Sequence, residues 1–200
     1  RNNVIRRCAF SAVRGNAASG VQILGNTCGA IGEVALYAEF DFEGAVISAN
    51  TVDGAALGVV CTNFDAGGRL AVVQGNIIRR LTPRRPQGGP DAAGVGIAVE
   101  ADASVSGNVI EDAPSMGISV GAGKYMRDVS VSGNVVRRAG LGIGVSIAPG
   151  AGSAVVTGNL VAECRSGGIV GMEWDKVASP DLARDAARYS QLTIANNQVR

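Results

Sequence analysis

Seven acidic residues recur at related positions along this sequence and are its most suggestive set of chemically active side chains. They are Glu39, Asp41, Asp65, Glu100, Asp102, Glu173 and Asp175. On an extended strand, residues two apart are separated by ~7 Å, and neighbouring parallel strands by ~5 Å. These distances suit the paired carboxylates of glycoside hydrolysis and the oxygen ligands of Ca²⁺. The spacing predicts a face that binds a glycan or a cation, and the competing interpretation is a set of ordinary solvated turn residues.

The composition excludes several classes of chemistry and of partner. The chain of 200 residues contains no His, which removes His-based acid–base catalysis, Ser-His-Asp triads and His-containing metal motifs. Eighteen Lys and Arg residues against 17 Asp and Glu give a net charge of +1, so we expect no nucleic-acid partner. Glycines interrupt the uncharged run from 139 to 162 at short intervals, so we also predict no membrane span.

An asparagine-centred repeat extends along the whole chain and predicts its architecture. The core pattern is apolar-x-apolar-x-Gly-Asn-x-apolar, as in AVVQGNII (71–78), ASVSGNVI (103–110) and VSVSGNVV (129–136). A second short apolar strand, such as GISV (117–120), follows most copies. The asparagines in this register are Asn26, Asn50, Asn76, Asn108, Asn134, Asn159 and Asn197, with a truncated copy at Asn3.

A unit of about 24 residues cannot bury its apolar side alone, whereas stacked copies form one continuous core. We therefore predict an all-β fold, a right-handed single-stranded parallel β-helix of about eight coils. Residues 1–200 form one β-helix segment, and both ends lie in repeat register. We expect this segment to be part of a longer repeat protein.

Two residue types that often perform chemistry are predicted to be structural here. The asparagine carboxamide points towards the core at a turn, where stacked amides form a hydrogen-bonded ladder. The cysteines lie at inward positions without CxxC spacing, which favours reduced core thiols over a disulfide or a metal site. The cysteines are Cys8, Cys28, Cys61 and Cys164.

Charged dipeptides follow several of the asparagines and change sign from coil to coil. They are Arg79–Arg80, Glu111–Asp112 and Arg137–Arg138, and Arg6–Arg7 repeats the basic pair. Stacked coils would place opposite charges on adjacent strands. The pattern predicts cross-strand ion pairs, and a basic ligand patch is the other interpretation.

Two insertions lengthen the repeat, and function often lies in such segments. The first, at 81–92, contains three prolines and predicts an exposed loop. The second, at 173–190, predicts one short helix that begins at Ser179-Pro180-Asp181 with Ser179 as its N-cap. It also contains Trp174, the only Trp, which would pack the helix against the rod or stack on a sugar.

The repeated GN(V/I)(I/V) core with its following GI pattern resembles the parallel β-helix repeat of the pectate-lyase-like superfamily. More specifically, it resembles an uncharacterised bacterial family of twin-arginine-translocated repeat proteins. The resemblance covers the whole chain and implies the fold, a glycan ligand and a periplasmic or extracellular location. The superfamily's His-containing catalytic elements have no counterpart here, so no catalytic residue is carried over.

Two functions from different classes follow from these observations. The first is a non-catalytic exported scaffold or adhesin-like rod, favoured by the missing His and an aromatic content of 4%. The alternative is a carbohydrate-active or carbohydrate-binding protein, similar to a polysaccharide lyase or hydrolase, that uses the acidic residues. We expect no cofactor in the first case and Ca²⁺ as the candidate ion in the second.

Overall fold

A computed structural model describes residues 1–62, 69–85 and 93–200 of the chain. The described strands wind into an all-β parallel solenoid with one short helix, which confirms the predicted fold class. The solenoid makes about six turns rather than about eight.

Successive turns of the chain contribute strands to three faces. In chain order the strands are β1 (Val4–Cys8), β2 (Val13–Asn16), β3 (Val21–Leu24), β4 (Thr27–Glu39), β5 (Glu43–Ser48), β6 (Thr51–Thr62), β7 (Arg69–Gln74), β8 (Ile77–Arg79), β9 (Val95–Val99), β10 (Ala101–Ser106), β11 (Val109–Glu111), β12 (Met116–Val120), β13 (Arg127–Ser132), β14 (Val135–Arg137), β15 (Leu141–Ser146), β16 (Ala154–Thr157), β17 (Leu160–Ala162), β18 (Gly167–Glu173), β19 (Lys176–Ser179), β20 (Leu192–Ala195) and β21 (Gln198–Val199).

The three faces follow one another around each turn. The first face is the seven-stranded sheet β20-β16-β13-β10-β7-β5-β3. The second face consists of the strands that directly follow the asparagines: β1, the first part of β4 and of β6, β8, β11, β14, β17 and β21. The third face consists of β2, the last part of β4 and of β6, β9, β12, β15 and β18, with β19 antiparallel at its edge.

Inward and outward side chains alternate along the short strands, and the inward ones form the core between the faces. On the first face, Ile47, Val73 and Val105 are in register on neighbouring strands, and each is fully buried. The intervening Val46 and Val72 point outwards and are exposed. This two-residue period is the one that the repeat predicts for a half-buried strand.

The predicted asparagine ladder is present at the corner between the first and second faces. At Asn50, the backbone N and the side-chain Nδ2 both donate to Oδ1 of Asn76, at 3.0 Å each. The same Nδ2 also donates at 2.9 Å to the carbonyl of Ile23, on the preceding coil. The same three bonds recur at Asn76, Asn108, Asn134 and Asn159. These buried amides therefore have hydrogen-bond partners both forward and back along the stack.

The glycine of the GI pattern has a steric role where the chain enters the third face. A Cβ on Gly117 would lie 2.3 Å from Cγ1 of Val136 and 2.7 Å from the carbonyl oxygen of Gly142. Gly142 occupies the same position on the next coil, where a Cβ would lie 2.3 Å from Cγ1 of Val161. Only glycine allows the third-face backbone to approach the second-face side chains this closely.

Opposite charges pair across the coils of the second face, as predicted. Arg138 bonds to Glu111 at 2.6 Å and to Asp112 at 2.8 Å. The Arg138 guanidinium lowers the pKa of the Asp112 carboxyl through its hydrogen bond.

All four cysteines are described and have free thiols, and burial raises the pKa of Cys61 to about 12.

The helix in the second insertion is α1 (Leu182–Asp185), followed by a 3₁₀ turn over Ala186–Arg188. Its N-cap is Asp181, whose side chain accepts hydrogen bonds from the backbone of Ala183 and Arg184, so the prediction of Ser179 was wrong. Ser179 is buried instead at the end of β19 and donates to Asp185 at 2.7 Å. Among the described residues, no helix is long and apolar enough to span a membrane.

Candidate functional site

A groove runs along the outer surface of the third face, parallel to the axis of the solenoid. It consists of two cavities, of about 490 and 740 Å³. Ser119, Gly121 and Ala122 line both cavities, so the two are continuous. We call this feature the third-face groove.

The floor of the groove is a row of outward side chains that are in register from coil to coil. The row contains Tyr37, Val60, Ala98 and Ser119, which line the groove, and it continues in register to Gly144, which has no side chain. With one strand spacing of ~4.8 Å per step, this row is roughly 19 Å long. The floor therefore has the length of an extended ligand rather than of a single small molecule.

Charged side chains in hydrogen-bonded pairs form one end of the groove. The carboxylate of Glu39, which is 2% exposed, accepts a hydrogen bond from Nε of Arg14. The Arg14 guanidinium also lies over the ring of Tyr37, 5.3 Å from its centroid. Glu33 accepts from Arg85 at 3.1 Å and from Ser11 at 2.8 Å.

These contacts determine the protonation states at the charged end. The hydrogen bond to Glu39 raises the pKa of Arg14, so the guanidinium stays charged. Burial, together with a hydrogen bond to Glu39, raises the pKa of the Tyr37 phenol. Tyr37 therefore remains a protonated hydroxyl at neutral pH. This end of the groove thus offers hydrogen-bond donors held in place by carboxylates.

An aromatic pair lies at the other end of the groove. Trp174 is 54% exposed and meets Tyr125 edge to face, with ring centroids 6.2 Å apart. One side of the indole lies against Gly123, where a Cβ would come within 2.5 Å of three ring atoms. Trp174 thus packs on the 3₁₀ turn Gly123–Tyr125 of another coil, whereas Leu182 is the buried residue of α1. The indole is held in one position while more than half of its surface is exposed.

Two of the seven acidic residues singled out from the sequence lie in one row at the end of the third face. Glu39 pairs with Thr62 of the next coil, and Glu100 follows Val99, the register partner of Cys61. Thr62 therefore separates the two glutamates, which are 2% and 1% exposed. Glu39 lines the charged end of the groove.

The other acidic residues lie elsewhere. Asp41 and Asp102 have positive φ angles of 26° and 45°, and they lie at the corner where the chain leaves a strand of the third face for the first face. Asp102 is bonded to Arg127 at 2.9 Å. Glu173 and Asp175 are exposed in the β18–β19 hairpin, where Asp175 borders the aromatic end of the groove. Asp65 lies outside the described residues.

The structure does not assemble an evident metal centre from the residues that it describes. In residues 1–62, 69–85 and 93–200, no three Cys, Asp or Glu side chains are grouped as ligands for one ion. Asp102 and Glu39 instead have arginine partners. The binding of Ca²⁺ stays a prediction from the sequence.

Sequence reasoning missed Arg14, Glu33, Tyr37 and Arg85 at the charged end of the groove, and it missed Tyr125, the aromatic partner of Trp174. One signal was available for two of them. Aligning the third-face segments VRGN (13–16) and LYAE (36–39) places Arg14 beside Tyr37, as in the structure. Arg85 and Tyr125 come from segments between the strands, whose path the repeat does not determine.

Comparison with known proteins provides no relative from which a role could be transferred. No family model, no curated protein and no solved structure matches the chain. The functional argument therefore depends on the groove and its chemistry.

Proposed function

We propose that this chain is a non-catalytic, adhesin-like β-helix that binds a glycan in the third-face groove. The observation that carries the proposal is the pairing of an exposed, fixed indole at one end with hydrogen-bonding side chains at the other. A sugar ring presents an apolar C–H face that packs on an aromatic ring and a hydroxyl edge that needs polar partners. Trp174 supplies the first, and Arg14 and Arg85 supply donors for the second.

The rigidity of the groove supports binding. The indole is fixed by Gly123 and Tyr125, and the Arg14 guanidinium by Glu39 and Tyr37. Side chains held before binding lose little conformational entropy when a ligand arrives. The floor is a β-sheet, which is a rigid support for a binding site.

The pairing of the carboxylates supports a binding role rather than catalysis. Glycoside hydrolysis uses two carboxyl groups that face each other across the scissile bond. In the groove, Glu39 is bonded to Arg14 and Glu33 to Arg85. Tyr37, whose pKa is raised, is a poor general base at neutral pH.

The proposal includes a place in the pectate-lyase-like superfamily and export from the cytoplasm. The parallel solenoid and its asparagine ladder support the first of these. The second follows from the resemblance of the repeat to twin-arginine-translocated proteins. A periplasmic or extracellular protein would meet polymeric glycans, which suits a groove roughly 19 Å long.

The experiment is a titration of the intact chain with neutral and uronate oligosaccharides, followed by intrinsic fluorescence. Trp174 is the only Trp, so any change in emission reports directly on the aromatic end of the groove. We expect a saturable change with at least one oligosaccharide class. A flat signal across the panel, together with no heat in calorimetry, would reject glycan binding.

Two variants then locate the binding site by calorimetry. Trp174→Ala should weaken binding about tenfold, the loss of roughly one aromatic contact. The matched control is Phe10→Ala, which removes another exposed aromatic ring, 66% exposed and outside the groove. Equal affinities for the two variants would place the site elsewhere. Release of shortened or unsaturated products from a bound oligosaccharide would contradict the non-catalytic role.

A further inference from the structure

The outward side chains of the second face form a row in which most charges have partners on the next coil. The row contains Arg6, Gly29, Asp53, Arg79, Glu111 and Arg137 in register. Asp53 bonds to Arg79 at 3.1 Å, and Arg137 bonds to Glu163 at 2.8 Å. From the third coil onwards, positive and negative charges therefore neutralise each other locally.

The charge pattern is interrupted at the second coil. The positions that hold a charged dipeptide on four other coils are occupied there by Gly29 and Ala30. On the coil before them, Arg6 and Arg7 are exposed. Within the described residues, neither of these arginines has an acidic side chain at ion-pair distance.

The missing side chains leave a cavity between the two sets of arginines. It has a volume of about 560 Å³ and is lined by Arg6, Arg7, Arg79 and Arg80 around a floor that includes Gly29. A second cavity of about 680 Å³ adjoins it and shares Arg7 and Arg80. We call the first cavity the arginine notch.

The arginine notch has a strong excess of positive charge. Four guanidinium groups and one carboxylate, that of Asp53, line it, which gives a local net charge of +3. Asp53 is already bonded through a single oxygen, Oδ2, to both Arg79 and Arg80. The whole chain has a net charge of only +1, so this excess is a local feature.

We propose that the arginine notch binds a tetrahedral divalent oxyanion, a sulfate or phosphate group. Guanidinium groups form paired, charge-assisted hydrogen bonds with the oxygens of such anions. A doubly charged group would balance most of the local excess, and the small floor residues leave room for it. This site lies on a different face from the third-face groove and does not depend on the glycan proposal.

The test is calorimetric titration of the intact chain with inorganic sulfate and inorganic phosphate. Ionic strength is held constant with sodium chloride, so that general screening is the same throughout. We expect saturable binding with one anion per chain. Heats that match dilution for both anions would overturn the proposal.

Substitutions at Gly29 test the notch without removing any arginine. Backbone at Gly29 is not left-handed, and a Cβ there would meet its nearest atoms at 3.5 and 3.8 Å, so a side chain fits. Gly29→Glu restores the missing negative charge and should abolish binding, whereas Gly29→Gln, of the same size, should weaken it less. Equal effects of the two would mean that the anion's charge is not what the notch recognises, which contradicts the proposal.

A second pair of variants distinguishes a site from a diffuse positive field. Arg6→Gln with Arg7→Gln should weaken anion binding at least about tenfold. The matched control, Arg137→Gln with Arg138→Gln, removes the same charge from the same two repeat positions, but on a coil whose arginines have acidic partners. Equal losses of anion affinity in the two double variants would overturn the proposal that the arginine notch is the binding site.

The source of the oxyanion is identified by adding a sulfated oligosaccharide and its desulfated form. Tighter binding of the sulfated chain than of inorganic sulfate would indicate a sulfate ester, and equal binding would indicate the free ion. Trp174→Ala should leave the affinities for inorganic sulfate and inorganic phosphate unchanged. A parallel loss in that variant would show that the anion binds in the third-face groove, which contradicts the proposal.

Discussion

The asparagine corner and the third face receive residues from the same coils, yet the residue at equivalent positions is constant at the corner and varies on the third face. At the corner, the same residue makes the same three hydrogen bonds on successive coils. On the third face, the equivalent outward positions are Arg14, Tyr37, Val60, Ala98 and Ser119. The backbone and the ladder stabilise the stack, and the outward positions of the third face are thereby free to vary.

The two insertions sharpen this difference, because both reach the third face. Pro83, from the first insertion, and Trp174 and Asp175, from the second, line the same cavity. The corner, in contrast, keeps its hydrogen bonds across the long spacings of 32 and 38 residues. Extra sequence was therefore accommodated beside the groove without disturbing the ladder.

The largest effect on stability is expected at the centre of the ladder. Asn134→Ala removes the Oδ1 that accepts two bonds from Asn108 and the Nδ2 that donates to Asn159 and Val105. Because the site is buried, the groups left behind lose their partners, and we expect a loss of about 3 kcal/mol in the free energy of unfolding. Urea denaturation measures it.

The control for this variant is Ser119→Ala, a change of similar kind on the floor of the groove. It should change the free energy of unfolding by less than about 0.5 kcal/mol. Equal urea midpoints for the two variants would remove the distinction between a stabilising corner and a tolerant third face.

The next effect concerns the glycine at the entrance to the third face. Gly117→Ala should destabilise the protein by about 2 kcal/mol, because its Cβ would overlap Val136 and a backbone carbonyl. Gly107→Ala is the comparison, since no atom lies within 4 Å of its Cβ and only the φ of 61° is unfavourable. That strain costs about 1 kcal/mol. Thermal unfolding distinguishes the two, and a smaller loss for Gly117→Ala would be inconsistent with close packing at this point.

A smaller effect is expected at the charged end of the groove. Arg14→Ala leaves the buried Glu39 carboxylate without its charged partner, a loss that costs roughly 3 to 5 kcal/mol in a fully buried pair. Because the Arg14 side chain is 44% exposed, water can reach the site, and we expect about 1 kcal/mol. Adding Glu39→Gln should recover most of this loss in urea denaturation. No recovery would show that Arg14 acts through its packing on Tyr37 instead.

The smallest effect is expected at the exposed ion pairs of the second face. Asp112→Asn should lower stability slightly at pH 7, because the pKa of Asp112 is lowered by Arg138 in the folded state. That contribution is present above the unfolded pKa of about 4 and is lost as the pH falls through the lower, folded value. Urea midpoints of the variant and the wild type should therefore converge at about pH 2. A constant difference between pH 7 and pH 2 would exclude the carboxylate as its cause.

The parts of the molecule that repeat were predictable from the sequence, and the groove largely was not. The asparagine register predicted the fold and the ladder, because one residue performs one role on every coil. The acidic residues were assigned to a common face by counting two positions along a strand. At Asp41 and Asp102 this fails because left-handed residues turn the chain at the corner, namely Phe40 and Asp41 in the first case and Asp102 itself in the second. Arg85 and Tyr125 come from segments outside the repeat pattern.

The most direct test of glycan binding in the third-face groove uses the three methionines of the chain as probes. Met116 and Met172 line the aromatic half of the groove, whereas Met126 is 1% exposed and belongs to the central core. With methyl-¹³C methionine, the bound oligosaccharide should shift the Met116 and Met172 resonances in a saturable way and move that of Met126 much less. Saturable binding with unchanged Met116 and Met172 signals, or with an equal shift at Met126, would contradict the assignment of the groove.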